Sequence, residues 1–205
     1  MDFNALFKPE AQSTVPSQSE PSVRELRLPN GNQHAWVIDN ILEPDVGVQI
    51  HEWFKYLDYR FLDSDRDDTT FLKHLICTFE PDEYEGGTPA ALLVNAAVSV
   101  MESLGIQYGA LERVYANFNL FGDHQFAHTD GDFWTVLFFV NSVWGEDWGG
   151  ELLLYEDGPH SLAYAIQPRP GRMAVFDGTL HHRGGAPTKF CLEARISLAI
   201  KFAKA

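Results

Sequence analysis

What most restricts the fold of this chain is its second half, where short apolar segments follow one another with turn residues between them. Trp134-Thr135-Val136-Leu137-Phe138-Phe139-Val140 is apolar almost throughout, which suits a strand buried on both faces better than an exposed helix. Similar segments lie at Leu111 to Leu120, Glu151 to Tyr155, Ala163 to Gln167, Arg172 to Phe176 and Arg195 to Phe202. The first half differs. His34 to Asn40 suits a first strand and Leu72 to Phe79 another, but two stretches have helical spacing. Val46, Ile50, Trp53, Phe54 and Leu57 mark an apolar face between Pro44 and Leu57. Pro89 to Leu104 begins with a residue suited to a first helical turn and ends before Gly105. Helices first and short strands after predict a mainly β (α+β) domain, a double-stranded β-helix or jelly-roll barrel buttressed by helices.

Within that frame, His128-Thr129-Asp130 precedes the Trp134 segment, and His182 follows Met173-Ala174-Val175-Phe176 and the turn residues Asp177-Gly178. A single His-x-acid pair carries little weight, since eight histidines and 29 acidic residues in 205 produce about one such match by chance. Position gives it weight: both histidines fall at strand ends, as though two neighbouring strands held a metal at the mouth of a barrel. His-x-Asp with a distant histidine is the ligand set that grips one face of Fe(II) and leaves the other face open. Arg195 extends the pattern. In Ala194-Arg195-Ile196-Ser197-Leu198-Ala199-Ile200, alternation puts Arg195 and Ser197 on one face and Ile196, Leu198 and Ile200 on the other. A guanidinium pointing into the barrel needs an anionic partner, because an unpaired buried charge is costly.

These elements, together with Trp148-Gly149-Gly150-Glu151-Leu152 and Pro168-x-Pro170-Gly171-Arg172, make the stretch from about Val114 to Phe202 resemble 2-oxoglutarate- and Fe(II)-dependent oxygenases of the prolyl-hydroxylase-like branch. The resemblance implies metal ligation by His128, Asp130 and His182, with the distal carboxylate of 2-oxoglutarate held by Arg195 and Ser197. It also implies the cofactor Fe(II), the cosubstrate 2-oxoglutarate and, as an optional reductant, ascorbate. The implied reaction is hydroxylation of a C–H bond in an amino-acid-like small molecule, a natural-product intermediate or a prolyl-type peptide residue, with succinate and CO2 as co-products. Halogenating relatives lack the carboxylate that Asp130 supplies, so hydroxylation is favoured. Phe139 and Phe118 stand where that branch often has tyrosines near the cosubstrate, leaving Asn117, Asn119 or Thr135 as helpers for Arg195. The adjacent His181 is the alternative to His182 as second ligand, and alignment with the family pattern favours His182.

Several further readings bound the rest. At 205 residues and 45% hydrophobic content the chain fits one domain, 29–205, preceded by a flexible arm at 1–28 rich in Ser, Pro, Gln and Glu. Cys77 and Cys191 lack metal-site or disulfide-framework spacing and are expected to be buried thiols. No apolar stretch is long enough for a membrane span and the N-terminus lacks a secretory pattern, so a cytoplasmic protein without a membrane partner is expected. A net charge of -14 disfavours nucleic acid as a partner and leaves a small molecule or a peptide as substrate. Arg195 has a competing reading as an ion-pair residue with Glu193 or Asp177. Trp144 and Trp148 are expected to pack around the glycine turn, whereas His124 and Arg183 are open between substrate contact and the surface. His34, His51, His74 and His160 have no partner motif. A non-catalytic, cupin-like metal- or ligand-sensing protein is the alternative to an enzyme.

Overall fold

The computed structural model describes residues 20–28, 31 and 33–205. Strands β1 (Ser22–Arg27) and β2 (His34–Asp39) precede helix α1 (Pro44–Lys55). Then come β3 (Arg60–Asp63), β4 (His74–Phe79), the short α2 (Pro81–Glu85) and α3 (Pro89–Ser103). The second half is built from β5 (Tyr108–Asn119), β6 (Phe133–Phe139), β7 (Leu152–Tyr155), β8 (Leu162–Ile166), β9 (Met173–Asp177), β10 (His182–Gly184) and β11 (Arg195–Lys204). Local chemistry explains both longer helices. Each starts with proline in its first turn, and Thr88 caps α3 by accepting a 3.1 Å hydrogen bond from the Ala91 amide. Gly105, at φ +69°, turns the chain away beyond the end of α3.

An eight-stranded antiparallel sheet runs β1-β2-β9-β6-β11-β5-β4-β3, and a three-stranded one runs β10-β7-β8. One face of the large sheet offers Ile196, Leu198, Ile200 and Phe202 from β11 to a core shared with Ile50 and Phe54 of α1 and Leu93, Ala97 and Met101 of α3. Its other face places Leu137, Phe139 and Ala199 against Leu152, Leu154 and Ile166 of the small sheet. Helices therefore buttress one face while the two sheets enclose the barrel on the other, the double-stranded β-helix expected from the order of elements. Leu137 and Phe138 point to opposite cores and are both buried, which accounts for the unbroken apolar run of β6.

The arm expected over residues 1–28 requires correction at its end. Residues 1–19 lie outside the described residues, but Ser22–Arg27 is a strand paired along its length with β2. Only Leu26 of this strand is buried, with Leu28 just beyond it, so the ladder to β2 and not an apolar pattern fixes it. Strands β3 and β10, with four and three residues, form in the same way and carry no periodicity of their own. Cys77 is half-buried and Cys191 buried, and both are free. Among the described residues no helix is long and apolar enough to cross a membrane.

Candidate metal centre and cosubstrate pocket

Strands β6 and β9 pair antiparallel, from Trp134 opposite Asp177 to Phe138 opposite Met173, so the segment before one strand and the segment after the other meet at one end of the barrel. There His128 and His182 form an isolated bridge, each backbone amide donating to the other's carbonyl at 3.0 and 2.8 Å. Asp130 is fixed by its amide, which donates to the Gly178 carbonyl at 2.7 Å. Gly178 is needed for this approach, since a Cβ there would lie 2.7 Å from the Phe133 carbonyl and 3.1 Å from Asp130 Cβ. The turn after β9 thus fastens the His-x-Asp segment backbone to backbone.

The side chains converge accordingly. His182 Nε2 lies 3.3 Å from Asp130 Oδ2 and His128 Nε2 lies 3.7 Å from Asp130 Oδ1. The three residues can each direct one ligand atom to a common point, with those atoms within 4.8 Å of one another. Both imidazoles are oriented alike: Nδ1 of His128 faces the Phe126 carbonyl at 3.0 Å, and Nδ1 of His182 faces the Leu180 carbonyl at 2.9 Å. A carbonyl can only accept, so each Nδ1 carries the proton and each Nε2 keeps its lone pair for the centre. Burial pushes His182 down to about 4, which keeps it neutral at physiological pH. Burial works against ionisation of Asp130, but His182, Lys201 and the donors on Lys201 and Thr135 together hold its carboxyl well below the ordinary carboxylate range. A neutral His182 and an ionised Asp130 are protonation states that a divalent metal requires of its ligands.

A cavity of about 300 Å³ opens beside these groups and is lined by Tyr115, Asn117, Leu152, Phe176, Arg195 and Ser197 among others. Arg195 is 2% exposed, and its guanidinium is held on two sides. Nε donates to the Gly150 carbonyl at 2.6 Å, and Nη1 donates to Asn119 Oδ1 at 3.2 Å and Ser197 Oγ at 3.1 Å. Nη2 is buried and has no partner among the described residues. Burial pushes the group down to about 10, leaving it cationic at neutral pH. The Trp148-Gly149-Gly150 turn explains the seat: Gly149 and Gly150 have φ of +68° and +79°, and a Cβ on Gly150 would lie 3.0 Å from Arg195 Cδ.

The structure brings His128, Asp130 and His182 together and places Arg195 and Ser197 in the same cavity. His181 lies apart, against the small cavity near Tyr155 and Thr179. The ion-pair reading of Arg195 fails, because Asp177 accepts from Lys204 Nζ at 2.8 Å and among the described residues Arg195 has no carboxylate within 4.0 Å. Of the proposed helpers, Asn119 accepts from Arg195, Asn117 lines the cavity, and Thr135 donates to Asp130. Phe118 needs correction: it packs on Tyr59 at 4.7 Å in the helix-side core, because its β5 neighbours Asn117 and Asn119 occupy the cavity face. Phe139 does meet the site, its ring centroid lying 5.3 Å from Arg195 Cζ. Trp144 and Trp148 pack edge to face at 5.4 Å, and Trp144 Nε1 donates to the Gly149 carbonyl, as a packing role requires. Arg183 bonds Tyr155 Oη at 3.0 Å, while His124 packs on Phe126. His74 has no partner motif in the sequence, yet Asp65 bonds His74 Nε2 at 3.1 Å and lies 3.7 Å from His128 Nδ1. Tyr115 and Lys201 also line the cavity, and both follow from extending the alternation along β5 and β11.

Comparison with known proteins agrees with this geometry. Residues 113–202, which include the whole triad and Arg195, match the family described as the 2OG-Fe(II) oxygenase superfamily. Among solved structures, a Pseudomonas putida prolyl-4-hydroxylase has a TM-score of 0.62 at 15% identity, over 83% of this chain and 92% of that one. A Trichoplax adhaerens prolyl hydroxylase, solved with a hypoxia inducible factor peptide fragment, has a TM-score of 0.64 at 15% identity, covering 83% of each chain. The viral collagen prolyl hydroxylase of Paramecium Bursaria Chlorella virus-1, in its 2OG complex, has a TM-score of 0.56 at 19% identity, over 83% of this chain and 96% of that one. No curated protein matches the chain. The segment carrying the site, residues 113–202, is thus similar to the 2OG-Fe(II) oxygenase superfamily. The fold is shared with prolyl hydroxylases, and the family matched by residues 113–202 implies Fe(II) as cofactor and 2-oxoglutarate as cosubstrate. The residues fit both: a two-histidine, one-carboxylate donor set for the metal, and a buried cation with an unused donor for a carboxylate.

Proposed function

We propose that this protein is a 2-oxoglutarate-dependent Fe(II) dioxygenase that hydroxylates a C–H bond of an amino-acid-like small molecule, a natural-product intermediate or a prolyl-type peptide residue. The observation that carries the reading is Arg195 Nη2, a donor buried without a partner in the cavity that also holds the His128, Asp130 and His182 cluster. A buried guanidinium with both N–H groups of one nitrogen free is costly unless a ligand completes it, and a carboxylate is the ligand its planar fork fits.

In this reading His128 Nε2, His182 Nε2 and the Asp130 carboxylate hold the metal, and Arg195 with Ser197 Oγ holds the distal carboxylate of 2-oxoglutarate. Bound there, Fe(II) and 2-oxoglutarate would supply the chemistry by which one dioxygen is split between succinate, formed with loss of CO2, and the hydroxyl group placed on the substrate carbon. The chain's own contribution is orientation. The carbonyls of Phe126 and Leu180 lock both imidazole tautomers, the Thr135 hydroxyl steadies Asp130, and the Gly150 carbonyl with Asn119 aims the guanidinium. Leu152, Phe176 and Leu137 give the cavity apolar walls, which strengthen the charge-assisted bonds inside.

The test is succinate formation that requires Fe(II), 2-oxoglutarate and oxygen together, followed by a mass-spectrometric screen of amino acids and peptides for the gain of one oxygen atom. An iron-loaded protein that fails to bind 2-oxoglutarate sinks the proposal. Asp130→Ala separates catalysis from sensing: an oxygenase loses turnover, whereas a pure binding protein keeps its ligand affinity.

A further inference from the structure

The cavity face of the β5–β11 ladder carries a cation at each end. Arg195 lies opposite Asn119, and six residues further along β11 Lys201 lies opposite Arg113. Arg195 has its task in the reaction above, whereas the pair at the other end has none there beyond the bond from Lys201 to Asp130. Lys201 is 7% exposed, a rare burial for a lysine, and lines the cavity. Its ammonium donates to Asp130 Oδ2 and, at 3.1 Å, to Thr135 Oγ1. Among the described residues Asp130 is the carboxylate within ion-pair distance of it. Tyr115 lies between the two cations: Arg113 stacks on its ring at 4.1 Å, and Lys201 Nζ is 6.0 Å from the same centroid. Arg113 is already neutralised by Asp63 at 2.8 Å.

The charge balance changes once Asp130 serves a metal. One carboxylate then faces a divalent ion and an ammonium together. The chelating carboxylate of 2-oxoglutarate offsets one further charge, and its distal carboxylate is spent on Arg195. Of the other acids lining the cavity, Asp63 is paired with Arg113, Asp65 with His74, and Glu112 is exposed, so at the Lys201 end one positive charge stays uncompensated, where unpaired buried ions are costly. The protein's net charge of -14 does not remedy this, because exposed charges act over only about 8 Å at physiological salt. A second small anion at the Lys201 end does. We propose that Lys201, with Arg113 beside it, forms an anion subsite next to the metal, and that the substrate places a carboxylate there, adjacent to the C–H bond that reacts. The proposal rests on the oxygenase reading above and narrows its substrate class to carboxylic acids, whether free or borne by a peptide.

The test uses full-length protein loaded with Zn(II) and saturating 2-oxoglutarate, titrated calorimetrically with propionate and with propionamide, its uncharged match in shape. Propionate binds at least tenfold more tightly to the wild type. Lys201→Met brings the ratio close to one, Lys201→Arg restores the preference, and Arg113→Gln lowers it at least threefold without touching Asp130. A wild-type ratio near one, or a ratio unchanged in Lys201→Met and Arg113→Gln, overturns the subsite. Loss of zinc from Lys201→Met assigns the lysine to positioning Asp130 and also overturns it. Affinity for 2-oxoglutarate, read in the same samples, tests the underlying reading separately: if 2-oxoglutarate does not bind, the oxygenase assignment fails; if it binds and propionate is not preferred, only the subsite fails.

Discussion

Replacing Arg195 with methionine removes the guanidinium while keeping much of its length, and its effect follows from the seat described above. The wild-type group is 2% exposed, makes three hydrogen bonds and keeps Nη2 free. Truncating one partner of a buried hydrogen-bonded charge pair costs about 2–5 kcal/mol. Ser197 and Asn119 remain as weaker partners for a carboxylate, which places the loss near the middle, about 3–4 kcal/mol, or roughly 150- to 700-fold in affinity. Thermal unfolding of the zinc-loaded protein reads this directly. Ligand at 100 times its dissociation constant stabilises by about 2.7 kcal/mol, and in a domain of this size each kcal/mol moves Tm by about 2–4 °C. The wild type therefore gains about 5–10 °C from 2-oxoglutarate. A variant weakened about 300-fold gains under about 1 °C at the same concentration. If Arg195→Met shifts within 2 °C of the wild type, as a rough criterion on this scale, the distal carboxylate is held elsewhere and the role given to Arg195 is refuted.

Other substitutions test the geometry more locally. His182→Ala should abolish stoichiometric metal binding while His181→Ala, whose ring lies outside the centre, retains it; metal content after gel filtration decides between them. Gly150→Ala forces a left-handed backbone on a residue with a Cβ, at about 1–2 kcal/mol, and drives that Cβ to 2.9 Å from Trp144 and 3.0 Å from Arg195; a lower Tm together with at least tenfold weaker 2-oxoglutarate binding is expected, and unchanged binding contradicts the seat. The Asp65–His74 bond predicts a pH dependence. His74 is raised above its ordinary 6.5 by the hydrogen bond to Asp65, so its contribution to stability is complete below pH 6.5 and is lost as pH rises through the folded value. Burial opposes ionisation of Asp65, but the bonds from His74 and the Phe126 amide carry it below its ordinary 3.8, so its share persists above pH 3.8 and fades as pH falls through the folded value. Urea unfolding of metal-free protein should show a loss of about 1 kcal/mol or more between pH 6 and pH 9 that His74→Gln removes; equal slopes for both proteins rule the pair out as the source.

The parts of the site visible in the sequence are those that depend on local spacing. His128-x-Asp130 lies on one short segment, and period-two alternation alone puts Arg195 and Ser197 on a common face. The same count reaches Lys201, which lies beyond the Arg195 to Ile200 stretch on the face of Arg195 and Ser197. It also contradicts the placement of Phe118 near the cosubstrate, since Asn117 and Asn119 cannot share a strand face with the residue between them. What the sequence hides is pairing. Strands β1, β3 and β10 exist because a neighbour offers hydrogen bonds, and the meeting of Asp65 with His74 and His128 joins three segments with no common periodicity.

Pairing also decides between the adjacent histidines. In extended chain, neighbouring side chains point to opposite faces, so one of His181 and His182 must turn away from the barrel. The bridge of His182 to the backbone of His128 sets which one, and the pairing of His182 with Leu154 of β7 holds the choice from the other side. A slip of one residue would put His181 into the barrel and send His182 outward, breaking the hydrogen bond from His182 Nδ1 to the Leu180 carbonyl and exposing a ring that is now 6% exposed. The backbone register therefore defines which histidine faces the barrel, and substitutions that weaken the β7–β10 ladder should lower metal affinity without altering His128, Asp130 or His182.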